Sequence, residues 1–179
     1  MSESPQKEEK NRYVLEKEHF PKLLESLIRR GYRVVGPTLG DTTIEYNEIR
    51  SVADLPIGWT DEQDGGKYLL KKRDDLALFF FVSGPHSWKK FLLPSVLRLW
   101  QAKRTGNSFH IITEDRAIPK FAFLGVRSCD MHAIAIQDKI FIQGQYGDPH
   151  YQSRRSDVFL LAINCGQAGG TCFCVSMNT

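Results

Sequence analysis

Four cysteines are the residues of this sequence with the clearest chemical potential. Cys129 stands by itself, whereas Cys165, Cys172 and Cys174 fall within the last fifteen residues. Thiolates are ligands for zinc and for iron–sulfur clusters. In a chain of the reducing cytosol, such clustering indicates metal binding or thiol catalysis more often than disulfide bonds.

The run Cys-Gly-Gln-Ala-Gly-Gly-Thr-Cys-Phe-Cys, from Cys165 to Cys174, is suited to surround a bulky centre. Its glycines allow a tight loop that points backbone N–H groups inward. An iron–sulfur cluster needs thiolates and N–H donors that offset its charge, and zinc also accepts four thiolates. The Cys-x-Cys spacing is less usual for zinc, so the spacing slightly favours iron–sulfur. Ordinary cysteines packed as small hydrophobic residues are the remaining interpretation.

Cys129 has a second interpretation, as a nucleophile. It is expected near the start of a helix beside Arg127, where the helix dipole and the cation would favour its thiolate. His132 follows three residues later, but no third group that would orient the pair is evident. We therefore favour a ligand role for Cys129. Arg127 itself would either offset the charge of an anionic centre or form a surface ion pair.

Composition limits the class of protein that can carry these residues. The 179 residues are 41% hydrophobic and include 11 Phe, 6 Tyr and 3 Trp, which is typical of one globular domain with a real core. A net charge of +3 does not indicate a nucleic-acid partner. No apolar run is long enough to span a membrane, and residues 1–18 lack the pattern of a signal peptide, so we expect the cytosol.

The hydrophobic periodicity predicts alternating strands and helices. Helices are expected over residues 18–30, 94–103 and 129–141, the second from an apolar stripe of Val96, Leu99 and Trp100 and the third with Ser128 as its N-cap. Residues 56–66 are predicted as a loop. Strands are expected over residues 32–35, 42–46, 76–82, 109–112, 121–126 and 158–163.

This alternation predicts an α/β fold, with a mixed α+β arrangement as the alternative. We expect a central mixed sheet with helices packed on its faces, formed by residues 15–179 after a flexible polar tail at 1–14. Cys129 and Cys165 each follow a predicted strand, and sites in such sheets gather at the carboxyl ends of strands. If those two strands are neighbours, all four thiols could meet at one edge.

Several motifs together resemble a known family. They are Gly125-Val126-Arg127-Ser128-Cys129-Asp130-Met131-His132-Ala133-Ile134, Asp138-Lys139-Ile140-Phe141, Asp148-Pro149-His150-Tyr151 with Arg154-Arg155, Asn164-Cys165, and Cys172-Phe173-Cys174-Val175-Ser176-Met177. Over roughly residues 15–179 the chain resembles the β subunit of cytosolic NiFe hydrogenases (sulfhydrogenases) and the corresponding subunit of anaerobic sulfite reductase.

The resemblance implies an electron-transfer subunit that carries an iron–sulfur cluster. It implies that Cys129, Cys165, Cys172 and Cys174 bind one 4Fe–4S cluster, with Arg127 beside it. Two features depart from the family pattern. The chain reaches Thr179 without a ferredoxin-like Cys-x2-Cys-x2-Cys-x3-Cys-Pro run, so it is expected to be part of a longer protein or a stand-alone version. Ser128 stands where proline is expected.

The functional prediction is a component of an oxidoreductase complex that is not catalytic by itself. It would relay electrons between a flavin subunit linked to NAD(P)H and a catalytic subunit of the hydrogenase or sulfite/sulfur reductase type. The alternative is an interaction module with a structural four-cysteine zinc site. A thiol enzyme that uses Cys129 is the third hypothesis.

Overall fold

The computed structural model describes residues 13–82, 84–112 and 118–179. Most of the predicted tail at residues 1–14 therefore lies outside the described residues. The helices are α1 (Phe20–Arg29), α2 (Lys89–Leu92), α3 (Ser128–Phe141), α4 (Pro149–Arg155) and α5 (Cys174–Met177). The strands are β1 (Tyr32–Leu39), β2 (Ile44–Glu48), β3 (Trp59–Asp64), β4 (Lys67–Lys72), β5 (Gln101–Thr105), β6 (Ser108–Ile112), β7 (Lys120–Val126) and β8 (Phe159–Ala162).

A four-stranded mixed sheet forms the centre of the fold. Its strand order is β2-β1-β7-β8, with β2 antiparallel to β1 and the other neighbours parallel. The parallel register places Val34 opposite Ala122, and Ala122 opposite Phe159. The predicted α/β class with a mixed central sheet is thus confirmed, as are the central strands near residues 121–126 and 158–163.

One face of the sheet packs against α1. Val34 of β1 and the two β7 residues Ala122 and Leu124 are buried together with Leu24 and Leu27 of the helix. Successive side chains of a strand point to opposite faces, so the residues between them belong to the other side. The apolar stripe of the predicted helix 18–30 is therefore the face that packs against the sheet, as its helical spacing indicates.

The opposite face carries an aromatic core. Trp88 stacks between Tyr46 and Phe123, with ring centroids 4.0 and 4.9 Å apart. This core also buries Ile134 of α3 and Tyr151 of α4. Helices thus cover both faces of the sheet, which is the layered arrangement expected of the fold class.

Hydrogen bonds fix α4 onto α3. The Asp148 carboxylate accepts the backbone N–H groups of His150 and Tyr151 at 2.8 and 3.1 Å, which caps the start of α4. The Tyr151 hydroxyl donates to Asp138 at 2.7 Å, and Arg155 pairs with the same carboxylate at 3.1 Å. Beside Asp138, burial raises the pKa of Tyr151, so this hydroxyl stays a donor.

Two predicted elements are wrong. Residues 76–82 form an irregular segment rather than a strand, because side chains and not a strand ladder bind the backbone of Phe81 and Val82. An apolar run alone cannot distinguish a buried strand from an irregular segment. Leu76, at the start of the run 76–82, is 73% exposed. Residues 94–103 form no helix, since residues 101–105 pair as β5 with β6 across the turn Gly106-Asn107.

Two smaller predictions also need correction. Within the predicted loop at residues 56–66, β3 pairs with β4 across the two-residue turn Gly65-Gly66. Gly65 and Gly66, two of the glycines that suggested a loop, therefore form a hairpin turn. Ser128 is the first residue of α3 rather than its N-cap. The N-cap position belongs to Arg127, whose backbone N–H donates to the Asp130 carboxylate at 3.2 Å.

Among the described residues, no helix combines the length and apolarity needed to cross a membrane.

The burial pattern yields a stability prediction with a matched control. Leu124 is 1% exposed in the sheet core, whereas Leu76 is 73% exposed. Leu124→Ala should lower the free energy of unfolding by about 2–5 kcal/mol because it removes buried carbon and leaves a cavity. Leu76→Ala should change it by less than about 0.5 kcal/mol. Urea unfolding followed by circular dichroism measures both, and equal losses would contradict the exposed placement of Leu76.

Candidate metal centre

The pairing of β7 with β8 brings the two cysteine segments together. Both strands run in the same direction, and the backbone N–H of Ile163 donates to the Val126 carbonyl at 2.9 Å just beyond the last pair. Cys129 follows β7 at the start of α3, and Cys165 follows β8. The condition under which the four thiols could meet, that these two strands are neighbours, is therefore met.

All four cysteines line one cavity of about 320 Å³ at this edge of the sheet. They also border a second cavity of about 360 Å³. All four are free thiols. Cys129 and Cys174 are half-buried, and Cys165 and Cys172 are exposed. Apolar side chains also line the first cavity, among them Val82, Ile136, Phe173 and Met177.

The cysteine loop is held in place by β3. The Gln167 amide donates to the Thr60 hydroxyl at 3.2 Å and to the Asp61 carbonyl at 3.3 Å. The Thr171 hydroxyl donates to the side chain of Gln63 at 2.9 Å. These contacts join residues more than 100 positions apart, and they orient the loop that carries Cys165 and Cys172.

Close packing requires glycine at position 170. A Cβ atom there would lie 2.7 Å from the Gln63 carbonyl oxygen, which belongs to the backbone of β3 and cannot move aside easily. Within the same loop the Gly169 N–H donates to the Cys172 sulfur at 3.2 Å. The loop therefore directs a backbone donor at a thiol, as the glycine-rich sequence predicts.

Arg127 places a buried positive charge beside the thiols. It is 2% exposed and lines the same cavity as the cysteines. Its guanidinium donates to the Phe81 carbonyl and lies 4.8 Å from the centre of the Phe81 ring. The alternative of a surface ion pair is therefore wrong for Arg127.

Asp61 fixes the neighbouring backbone of the same irregular segment. Its buried carboxylate accepts the Val82 N–H at 2.5 Å and the Gln63 amide at 2.8 Å. Arg127 and Asp61 together tie residues 81–82 to the cavity wall. Sequence reasoning missed this support, because it assigned Asp61 to a loop and residues 76–82 to a strand. The Gly65-Gly66 turn was the available signal for β3.

Burial raises the pKa of the Cys129 thiol, and negative charge at Asp130, Cys174 and Cys165 raises it further. The thiolate that the helix start was expected to favour is thus disfavoured in the metal-free chain. Burial likewise raises the pKa of Asp130. His132 lines the cavity as well, but a nucleophile needs a lowered pKa, so the thiol-enzyme hypothesis loses its electrostatic basis.

No three His, Cys, Asp or Glu side chains of the described ranges 13–82, 84–112 and 118–179 are grouped closely enough to hold a single metal ion. The four cysteines line a shared cavity instead. That arrangement differs from a closed zinc site, in which four sulfurs contact one ion at about 2.3 Å.

Comparison with known proteins supplies a relative. The chain is 31% identical over 170 residues to sulfhydrogenase 2 subunit beta of Pyrococcus furiosus, and the match covers 94% of this chain. Over the shared part, this similarity supports the hydrogenase β-subunit family. The match spans 42% of the length of that relative. No family model and no solved structure matches the chain.

This similarity confirms the hydrogenase half of the predicted resemblance. The other half, to the corresponding subunit of anaerobic sulfite reductase, stays a prediction. The cysteine ligands are likewise a prediction, now with a cavity that all four share.

Exposure and pKa together predict an order of thiol reactivity. In reduced, metal-free protein, iodoacetamide should modify the exposed Cys165 and Cys172 before Cys129, which is half-buried and has a raised pKa. Peptide mass spectrometry at timed intervals measures the order, and denatured protein serves as the control in which the difference disappears. Fastest modification at Cys129 would instead indicate an activated thiol.

Proposed function

We propose that this chain holds one 4Fe–4S cluster on Cys129, Cys165, Cys172 and Cys174 and serves as an electron-transfer subunit. The observation that carries the proposal is that all four free thiols line a shared cavity. In this role the chain relays electrons between a flavin subunit linked to NAD(P)H and a catalytic subunit of the hydrogenase or sulfite/sulfur reductase type. The relative is named as a subunit of a sulfhydrogenase, which supports work within a multi-subunit complex.

The donor set fits such a cluster. Four thiolates are its usual ligands, and each binds a different iron atom, so the sulfurs surround a space rather than a point. Apolar side chains line part of the cavity beside the half-buried Cys129 and Cys174, and the Gly169 N–H already points at the Cys172 sulfur. A bound cluster supplies a site that accepts and releases one electron at a time.

The chain's own residues prepare this site electrostatically. Thiol ligands must lose their protons on binding, and the pKa of Cys129 is raised, so loading releases a proton that the metal-free chain retains. The Arg127 guanidinium lines the same cavity and offers a cation beside the resulting thiolates. The exposed Cys165 and Cys172 bring two of the ligands to the protein surface, where a partner can approach.

The decisive experiment measures iron, sulfide and zinc per chain after anaerobic purification and reconstitution. We expect about four iron and four sulfide ions, with visible absorption that dithionite bleaches. Serine at position 129, 165, 172 or 174 should sharply lower iron retention because one thiolate is lost. Ser176→Ala, a change in the same segment at a residue outside the cavity lining, should retain the full iron content.

Other metal contents would contradict the proposal. About one zinc per chain without visible colour would replace it by the structural zinc module. A folded chain that takes up neither metal after reconstitution would show that these cysteines are not ligands. Full iron in all four serine variants would place a cluster elsewhere.

The buried charge of Arg127 yields a prediction about the reduction potential. Reduction adds negative charge, which a nearby cation stabilises, so Arg127→Gln should lower the midpoint potential. Arg127→Lys keeps a cation and should restore much of the difference. Redox titration of reconstituted protein measures both values, with iron content as the control for loading. An unchanged potential in a fully loaded Arg127→Gln protein would show that Arg127 does not tune the cluster.

A further inference from the structure

The hairpin formed by β5 and β6 leaves an apolar surface uncovered. Every residue of both strands is exposed, and the two strands form a sheet of their own. Phe109 is 68% exposed and Ile111 is 72% exposed. Two strands without a covering layer are only marginally stable in water. A surface that covers this hairpin would therefore stabilise it.

The strand register separates the hairpin into two different faces. Ala102 lies opposite Ile111, and Arg104 lies opposite Phe109. Directly paired residues share a face, and residues two apart along a strand do as well, so these four form one side. Lys103 and His110 pair on the other side, where Ile112 is the one apolar residue of the two strands. One face is thus apolar and the other largely polar.

The apolar surface continues along the chain before β5. Val96, Leu99 and Trp100 are exposed, although their helical spacing predicts a buried stripe. Aromatic side chains and arginine are enriched in protein interfaces, where they carry much of the binding energy. The stretch from residue 96 to residue 112 contains both.

The charge of this stretch indicates which partner fits. Residues 94–112 contain Arg98, Lys103 and Arg104 and no aspartate or glutamate. The Arg104 guanidinium lies 5.9 Å from the centre of the Phe109 ring, which places a cation on the apolar face. Two copies of this chain would bring these cations against one another. A surface with carboxylates around an apolar centre complements them.

We propose that the β5–β6 hairpin docks onto a separate protein subunit that presents an apolar patch bordered by Asp and Glu side chains. This interface is independent of the proposed cluster, since no residue of the hairpin lines the cysteine cavity. Loss of the interface would therefore leave iron content unchanged, and loss of the cluster would leave docking unchanged.

Photo-crosslinking in the source organism tests the docking face. The full chain carries p-benzoylphenylalanine at position 109 or 111 on the apolar face, or at position 110 on the polar face. We expect positions 109 and 111 to crosslink to the same protein, and position 110 to react at least about tenfold less. The crosslinked peptide should be apolar and flanked by Asp or Glu.

A pair of adjacent isoleucines provides the matched variants. Ile111 lies on the apolar face and Ile112 on the opposite face. Ile111→Asp should weaken binding to the crosslinked protein at least about tenfold, whereas Ile112→Asp should change it by less than about threefold. Arg104→Glu should also weaken binding, and more so at low salt. Equal thermal unfolding of the purified variants controls for folding.

Several results would overturn the proposal. Crosslinks to a second copy or within the same chain would assign the face to self-association or to an internal contact. Sedimentation with vesicles of equal parts phosphatidylcholine and phosphatidylglycerol, abolished by Ile111→Asp, would assign it to a membrane surface. Equal crosslinking at all three positions, or none at any, would show that the hairpin has no specific docking face.

Discussion

The parallel pairing of β7 with β8 is the contact on which the candidate site depends. It places the ends of two strands side by side, although the cysteines that follow them are 36 positions apart in the chain. The pairing is stable because Phe123 and Leu124, on opposite faces of β7, are each buried under a separate helical layer. Gly125, with φ +90°, accommodates the register shift just before the site.

A second layer completes the site from a distant part of the chain. The β3 strand binds the cysteine loop through Thr60, Gln63 and the Asp61 carbonyl, while the Asp61 carboxylate binds the irregular segment at Val82. The loop itself has little secondary structure. Its conformation therefore depends on side-chain hydrogen bonds and on the close approach that Gly170 permits.

The electrostatics of the cavity combine two opposing effects. Burial and neighbouring acidic groups raise the pKa of Cys129, which favours its neutral thiol in the metal-free chain, while the buried Arg127 guanidinium lines the same cavity. A low-polarity cavity strengthens the interaction of Arg127 with any anionic centre that forms there. The raised pKa of Cys129 and the nearby cation are consistent with a site that gains negative charge when ligands and metal assemble.

Residue order alone was enough to predict the fold class, the strands that precede Cys129 and Cys165, and the four cysteines as candidate ligands. These are local properties, because hydrophobic period and residue type do not require distant contacts. The burial of Arg127, the irregular path of residues 76–82 and the exposed hairpin of residues 101–112 depend on how the whole chain packs. The structure that an apolar run or a short helical stripe adopts depends on which segments cover it, and those segments lie far away in the sequence.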